Sequence, residues 1–178
     1  MRRVSVCLDK GFTLVELLVV VAVISVIAAI AVPGLLRSRM TANETSAIAS
    51  MRLTSTAQVA YSASCGGSAF ASSFVILATP PSGTNAPFIS ADLGRTSPFV
   101  KSGYTIDFGP GAGSIPGPPD CNGSPTLTAF YATAVPQSLN MTGTRAFAIN
   151  NGKTVWQDTS GVAPSEPFTT SATVTPIQ

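Results

Sequence analysis

The chain has 178 residues, enough for one globular domain plus one additional segment. Its 10 basic and 8 acidic residues are scattered, which argues against an electrostatic nucleic-acid surface built on clustered Lys and Arg. Histidine is absent and carboxylates are few, so general acid–base and nucleophilic catalysis have little to work with, and the sequence reads as a non-enzyme needing no cofactor.

The first element is an apolar run. From Phe12 to Leu36 only Thr13, Glu16, Ser25, Pro33 and Gly34 interrupt it, a length that suits one membrane-crossing helix. Glu16 lies about one helical turn inside, with no basic residue within helical reach, and an ionisable group at such a place reads as functional. Proteolysis between Gly11 and Phe12 would create a partner, because the new α-amine of Phe12 would lie one turn from Glu16 of its own chain or of a neighbour.

The residues Lys10-Gly11-Phe12-Thr13-Leu14-Val15-Glu16 resemble the processing motif of type IV pilins and of the related pseudopilins of type II secretion. The resemblance covers about the first third of the chain and implies a specific history. A membrane prepilin peptidase cuts after Gly11 and N-methylates Phe12. Glu16 helps to set the register of subunits in a helical filament, and Pro33 falls where many pilins bend their helix. It further implies other copies of the same chain as partners, an inner-membrane assembly platform driven by a cytoplasmic ATPase, and lipid around the helix before assembly. The precursor would be a single-pass inner-membrane protein with its head in the periplasm, and the assembled subunit would lie in a pilus at the cell surface. Orientation rests on this resemblance, because Arg2, Arg3 and Lys10 before the run are matched by Arg37, Arg39 and Arg52 after it.

Two plainer readings compete. An ordinary secretory signal would end in the small residues Ala29-Ile30-Ala31 and release a soluble binding protein beginning at Val32, but it places Glu16 inside an apolar region longer than such signals use. A plain signal anchor leaves Glu16 unexplained. Only the pilin-type motif uses Gly11, Phe12 and Glu16 together.

The expected organisation is a leader over residues 1–11, a membrane or filament-core helix over 12–36, its continuation over 37–64, and a β-sheet head over 65–178. Loss of the leader removes three of the ten basic and one of the eight acidic residues, leaving seven of each. Pro33 and Gly34 should bend or loosen the helix, since proline lacks one helical N–H and crowds the preceding turn. Beyond them no Gly or Pro occurs up to Ser64, and Ala47, Met51, Thr54, Gln58 and Tyr61 follow helical spacing, although two of the five are polar. Cys65-Gly66-Gly67 should end the helix.

The head reads as a small antiparallel sheet of about four strands, giving an α+β fold in which a long N-terminal helix lies on the sheet, the architecture the pilin resemblance also implies. Tyr104–Phe108 and Thr144–Asn150 alternate as strands; Thr126–Val135 reads as one central strand; Asn151-Gly152 reads as a hairpin turn with a strand returning from Lys153 to Trp156. Phe70, Phe74, Phe88, Phe99, Tyr104 and Phe108, scattered through a Gly/Pro/Ser-rich region, are candidate anchors. The tail 161–178 reads as an extended surface segment.

Of three cysteines, Cys7 lies in the leader, which leaves Cys65 and Cys121 as a candidate disulfide; two unpaired buried thiols are the alternative. No metal site is expected. Asp120, Asn122 and Asp158 could offer oxygen ligands, but their spacing suits loop residues better. A pseudopilin is the nearest alternative to a pilus subunit, and the Gly/Pro/Ser-rich, bridgeable loop favours the pilus.

Overall fold

The computed structural model describes residues 11–90, 92–93 and 96–177. The expected leader over 1–11 therefore lies, apart from Gly11, outside the described residues. Tertiary contacts divide the chain into two units that meet between Ser38 and Arg39. A single helix, α1 (Leu14–Ser64, 51 residues), supplies the apolar segment of the first and the first element of the second.

Residues 39–64 of α1 are held by one face. Ala47, Met51, Thr54, Gln58 and Tyr61 are all buried, so the stripe read from helical spacing is the docked face despite its polar members. Those polar members are satisfied in place. The Gln58 amide donates to the Ala71 carbonyl at 3.1 Å and accepts the Ala71 N–H at 2.9 Å, and the Thr54 hydroxyl donates to the Ser50 carbonyl at 2.9 Å. A buried polar group costs stability only when it lacks such partners. Glu44 fixes the N-terminal part of this face: its carboxylate accepts the Thr144 N–H at 2.8 Å and hydroxyl at 2.7 Å, and pairs with the Arg145 guanidinium. The helix stops where Gly67 and Ser68 turn left-handed. A side chain at Gly66 would collide with the Tyr61 ring and the Ala69 carbonyl, so glycine is required there.

Two strands and a short helix follow: β1 (Phe70–Ala71), α2 (Phe74–Ala78), capped by the Ser73 hydroxyl, and β2 (Phe99–Lys101). Then come β3 (Tyr104–Pro110), β4 (Thr126–Leu127), β5 (Phe130–Pro136), β6 (Ala146–Asn150), β7 (Trp156–Asp158) and β8 (Val174–Pro176). The main sheet is antiparallel with order β2-β3-β5-β6-β7-β8, and β1 pairs separately with β4. Tyr104, Ile106 and Phe108 on β3 and Phe130, Ala132 and Ala134 on β5 form, with Met51 and Tyr61, one core. The helix laid on an antiparallel sheet is the α+β fold read from the sequence.

The scattered aromatics do anchor the loops. Phe74 contacts Phe99 at 5.2 Å and Phe108 at 5.1 Å between ring centres, Phe108 stacks on Phe130, and Phe130 meets Phe70. A region that composition alone would assign to loose loops is thus pinned by ring contacts.

Three expectations need correction. Among the described residues the main sheet has six strands instead of about four. Thr126–Val135 is two strands, because between them the Thr128 N–H bonds the Ile115 carbonyl and the Ala129 N–H bonds the Ser114 hydroxyl, taking the backbone out of both sheets. The hairpin turns over Asn150–Lys153, and pairing resumes only at Trp156, since the Val155 carbonyl is taken by the Ile177 N–H. The tail runs at the surface as expected, and its extended Val174–Pro176 adds to β7 as an edge strand.

Candidate functional site: the start of the long helix

At the N-terminal end of α1, Thr13 and Glu16 form a reciprocal cap. The Thr13 hydroxyl accepts the Glu16 N–H at 3.2 Å, while the Glu16 carboxylate accepts the Thr13 N–H at 3.0 Å and its hydroxyl at 2.9 Å. This is a capping box, which satisfies two of the N–H groups that a helix start leaves without partners. Its signal, T-x-x-E, stands in the sequence, and reading Glu16 only for a cationic partner passes over it. The cap folds the carboxylate back onto Thr13, the residue that follows Phe12.

From Phe12 to Leu36 every residue is exposed within the single chain, including Leu14, Val19, Ile24, Ile30 and Leu35. The polar side chains of the segment are satisfied by the helix itself: Thr13 and Glu16 by each other, and Ser25 by the Val21 carbonyl at 2.7 Å. Such internal satisfaction is what a helix needs in lipid, where water cannot supply the missing bonds. By length and composition α1 can cross a membrane, with a mean hydropathy of 3.0 in its most apolar part. Helical assignment is unbroken through Pro33 and Gly34, so the expected loosening there does not interrupt α1.

Cys65 and Cys121 are joined, with Cα atoms 4.8 Å apart and the Cys121 N–H donated to the Cys65 carbonyl. The bond ties the Gly/Pro-rich loop to the end of α1. Beside it, Asp120 accepts the Tyr61 hydroxyl at 2.7 Å and the N–H groups of Asn122 and Ser124. Burial works against its charge, but these donors outweigh it and hold its carboxyl below the usual range. The Asn122 side chain accepts from the Ser82 N–H and hydroxyl, and Asp158 accepts the Ser160 N–H. Among the described residues no group of three or more metal-ligating side chains comes together.

Residues 8–32 match the family model described as the prokaryotic N-terminal methylation motif. The amino-terminal segment is of the type IV pilin kind. It is similar to the type IV wide pilus major component PilA4 of Thermus thermophilus, with 56% identity over 36 residues, which are 20% of this chain and 28% of that protein. The chain thus spans little more than a quarter of the length of this curated relative, and the head lies outside the likeness. No solved structure matches the chain.

Proposed function

We propose that this protein is a structural subunit of a type IV pilus-like filament. The observation that carries the reading is the apolar, wholly exposed helix start, with Glu16 folded back onto Thr13, inside the matched methylation motif. Residues 1–11 act as the leader. Prepilin peptidase cuts between Gly11 and Phe12 and methylates the new amine, which then pairs with Glu16 of an adjacent copy and sets the register. Residues 12–36 wait in the inner membrane, with the head 65–178 on the periplasmic side and 37–64 joining the two. An assembly platform with a cytoplasmic ATPase moves the chain from lipid into the filament, which emerges at the cell surface.

Because lipid tails are as apolar as the helix, close packing and not water exclusion must hold the filament core together. Pro33 and Gly34 supply the local bend that fits neighbouring helices around it. A pseudopilin would carry the same motif; the bridged 65–121 loop is the feature that favours a pilus.

The test is Glu16→Ala. Processing should persist, with mature chain accumulating in the membrane, while filament recovered by shearing falls by at least about tenfold, the loss expected when an ion pair that fixes register is removed from a low-dielectric core. Normal filament yield from this variant would remove the register role.

A further inference from the structure

A cavity of about 750 Å³ opens between the solvent side of α1 and the β6–β7 hairpin, lined by Arg52, Val59 and Ala60 on one wall and Lys153, Val155 and Ile177 on the other. Val59, Ala60, Ala63, Val155 and Ile177 make much of its lining apolar, beside Ser55, Thr56 and Thr154, and no carboxylate lines it. Among the described residues the ion pairs join Lys101 to Asp92 and Arg145 to Glu44; Arg52 and Lys153 belong to neither. Two cations without carboxylate partners therefore share one apolar groove.

The complement lies on the same chain. Asp107 sits on β3 with its side chain exposed, on the sheet face opposite the buried Ile106 and Phe108. It flanks a shallow pit of about 130 Å³ with Tyr131 and Thr133. Its hydrogen bonds come from the Ser97 hydroxyl at 2.9 Å and the Phe108 N–H, and no described cation pairs with it. Of the other carboxylates described in residues 39–177, Glu44, Asp120 and Asp158 are buried, Glu166 is half-buried and held by the Ala112 N–H and the Asn150 amide, and Asp92 pairs with Lys101, which leaves Asp107 as the exposed one without a cation. The helix docks on one face of the sheet and Asp107 points from the other, since successive side chains of a strand alternate. The basic groove and the acidic pit thus cannot meet within one copy.

We propose that the Arg52–Lys153 groove receives the Asp107 face of a second copy of this chain. The two patches differ, so the contact is heterologous, and a heterologous contact that does not close into a ring repeats as an open helical array. The apolar lining excludes water around the charges and raises the specificity of the pairing, while the charges fix which faces meet. This names a head-to-head contact that the filament reading leaves open.

Cysteine cross-linking of the full chain tests it with the charges left in place. Chains carrying Thr154→Cys, beside the groove, are co-expressed with chains carrying Thr133→Cys, in the pit, and membranes and sheared material are oxidised. We expect a dimer that requires both cysteines. Its yield should drop by at least about tenfold with Arg52→Glu plus Lys153→Glu, and recover when the partner chain carries Asp107→Arg, as charge complementarity demands. No dimer, or a dimer indifferent to charge reversal, overturns the proposal. Since all five positions but the half-buried Thr133 are exposed, folding is checked by retention of the Cys65–Cys121 bond. Sheared filament without the cross-link sinks this contact alone; the cross-link without filament sinks the pilus reading and leaves the contact standing.

Discussion

Residues 12–36 and residues 39–177 differ in whether the chain itself covers their apolar side chains. In residues 39–177, Met51, Tyr61, Phe74, Ile106, Phe130 and Ile149 are buried by the chain itself. In the helix start, Leu17, Val21, Ile24 and Ile27 are exposed in the single chain although they are as apolar as any core. A region that satisfies its own hydrogen bonds but none of its apolar surface is built for surroundings other than water. Residues 39–177 bury a core of their own, whereas the helix start leaves its apolar surface uncovered, which the proposed filament reading assigns to lipid or to other copies.

That contrast can be broken most severely in the head. Phe74→Ala removes a ring that touches both Phe99 and Phe108, and should cost about 3–5 kcal/mol of head stability, read from Trp156 fluorescence during denaturation. An unchanged midpoint would mean that the aromatic chain is not the core. Replacing Cys65 and Cys121 by serine frees a loop closed over a separation of 56 residues, worth about 4 kcal/mol on the chain-entropy model; reductant should lower the wild-type midpoint equally and leave the double variant unmoved.

Acid should loosen the head next. Burial disfavours the charge on Glu44, but the Thr144 N–H, Arg145 and the Thr144 hydroxyl outweigh it and hold the carboxyl below its usual value. A depressed folded value contributes stability that is fully present above the unfolded one, near pH 4, and is lost as pH falls through the folded one. Asp120 and Asp158 act in the same direction. Stability should therefore be level above roughly pH 5 and decline below about pH 4. Glu44→Gln should cost about 2 kcal/mol at neutral pH and flatten that decline, and an unchanged acid limb would remove Glu44 from the account.

The smallest effect on the head should come from the helix start. Val20→Ala leaves the head core untouched and should shift its midpoint by less than about 0.5 kcal/mol, whereas sheared filament yield should fall. A large loss of head stability would show that the two regions are not independent.

The two regions also differ in what a sequence can say about them. The helix start is local: Gly11, Phe12 and Glu16 lie within a few residues of one another, and the run needs only its own composition to be read. Even so, the T-x-x-E cap was there to be found at Thr13. The stripe from Ala47 to Tyr61 was legible by spacing, but why Gln58 can be buried depends on Ala71, a partner that only folding brings near. Strand limits failed for the same reason. Thr128 and Ala129 leave the sheet for the 114–115 loop, Val155 gives its carbonyl to Ile177, and Val174–Pro176 becomes a strand by adding to β7. Alternation along the chain carries no trace of these long-range hydrogen bonds.

The most direct measurement is the intact mass and N-terminal fragment spectrum of the protein taken from membranes and from sheared surface material. The account predicts a chain that begins with N-methylated Phe12 and is present in the sheared fraction. A chain beginning at Val32 would contradict it, because the segment with Glu16 and the exposed apolar face would be gone and a secreted β-rich head would remain.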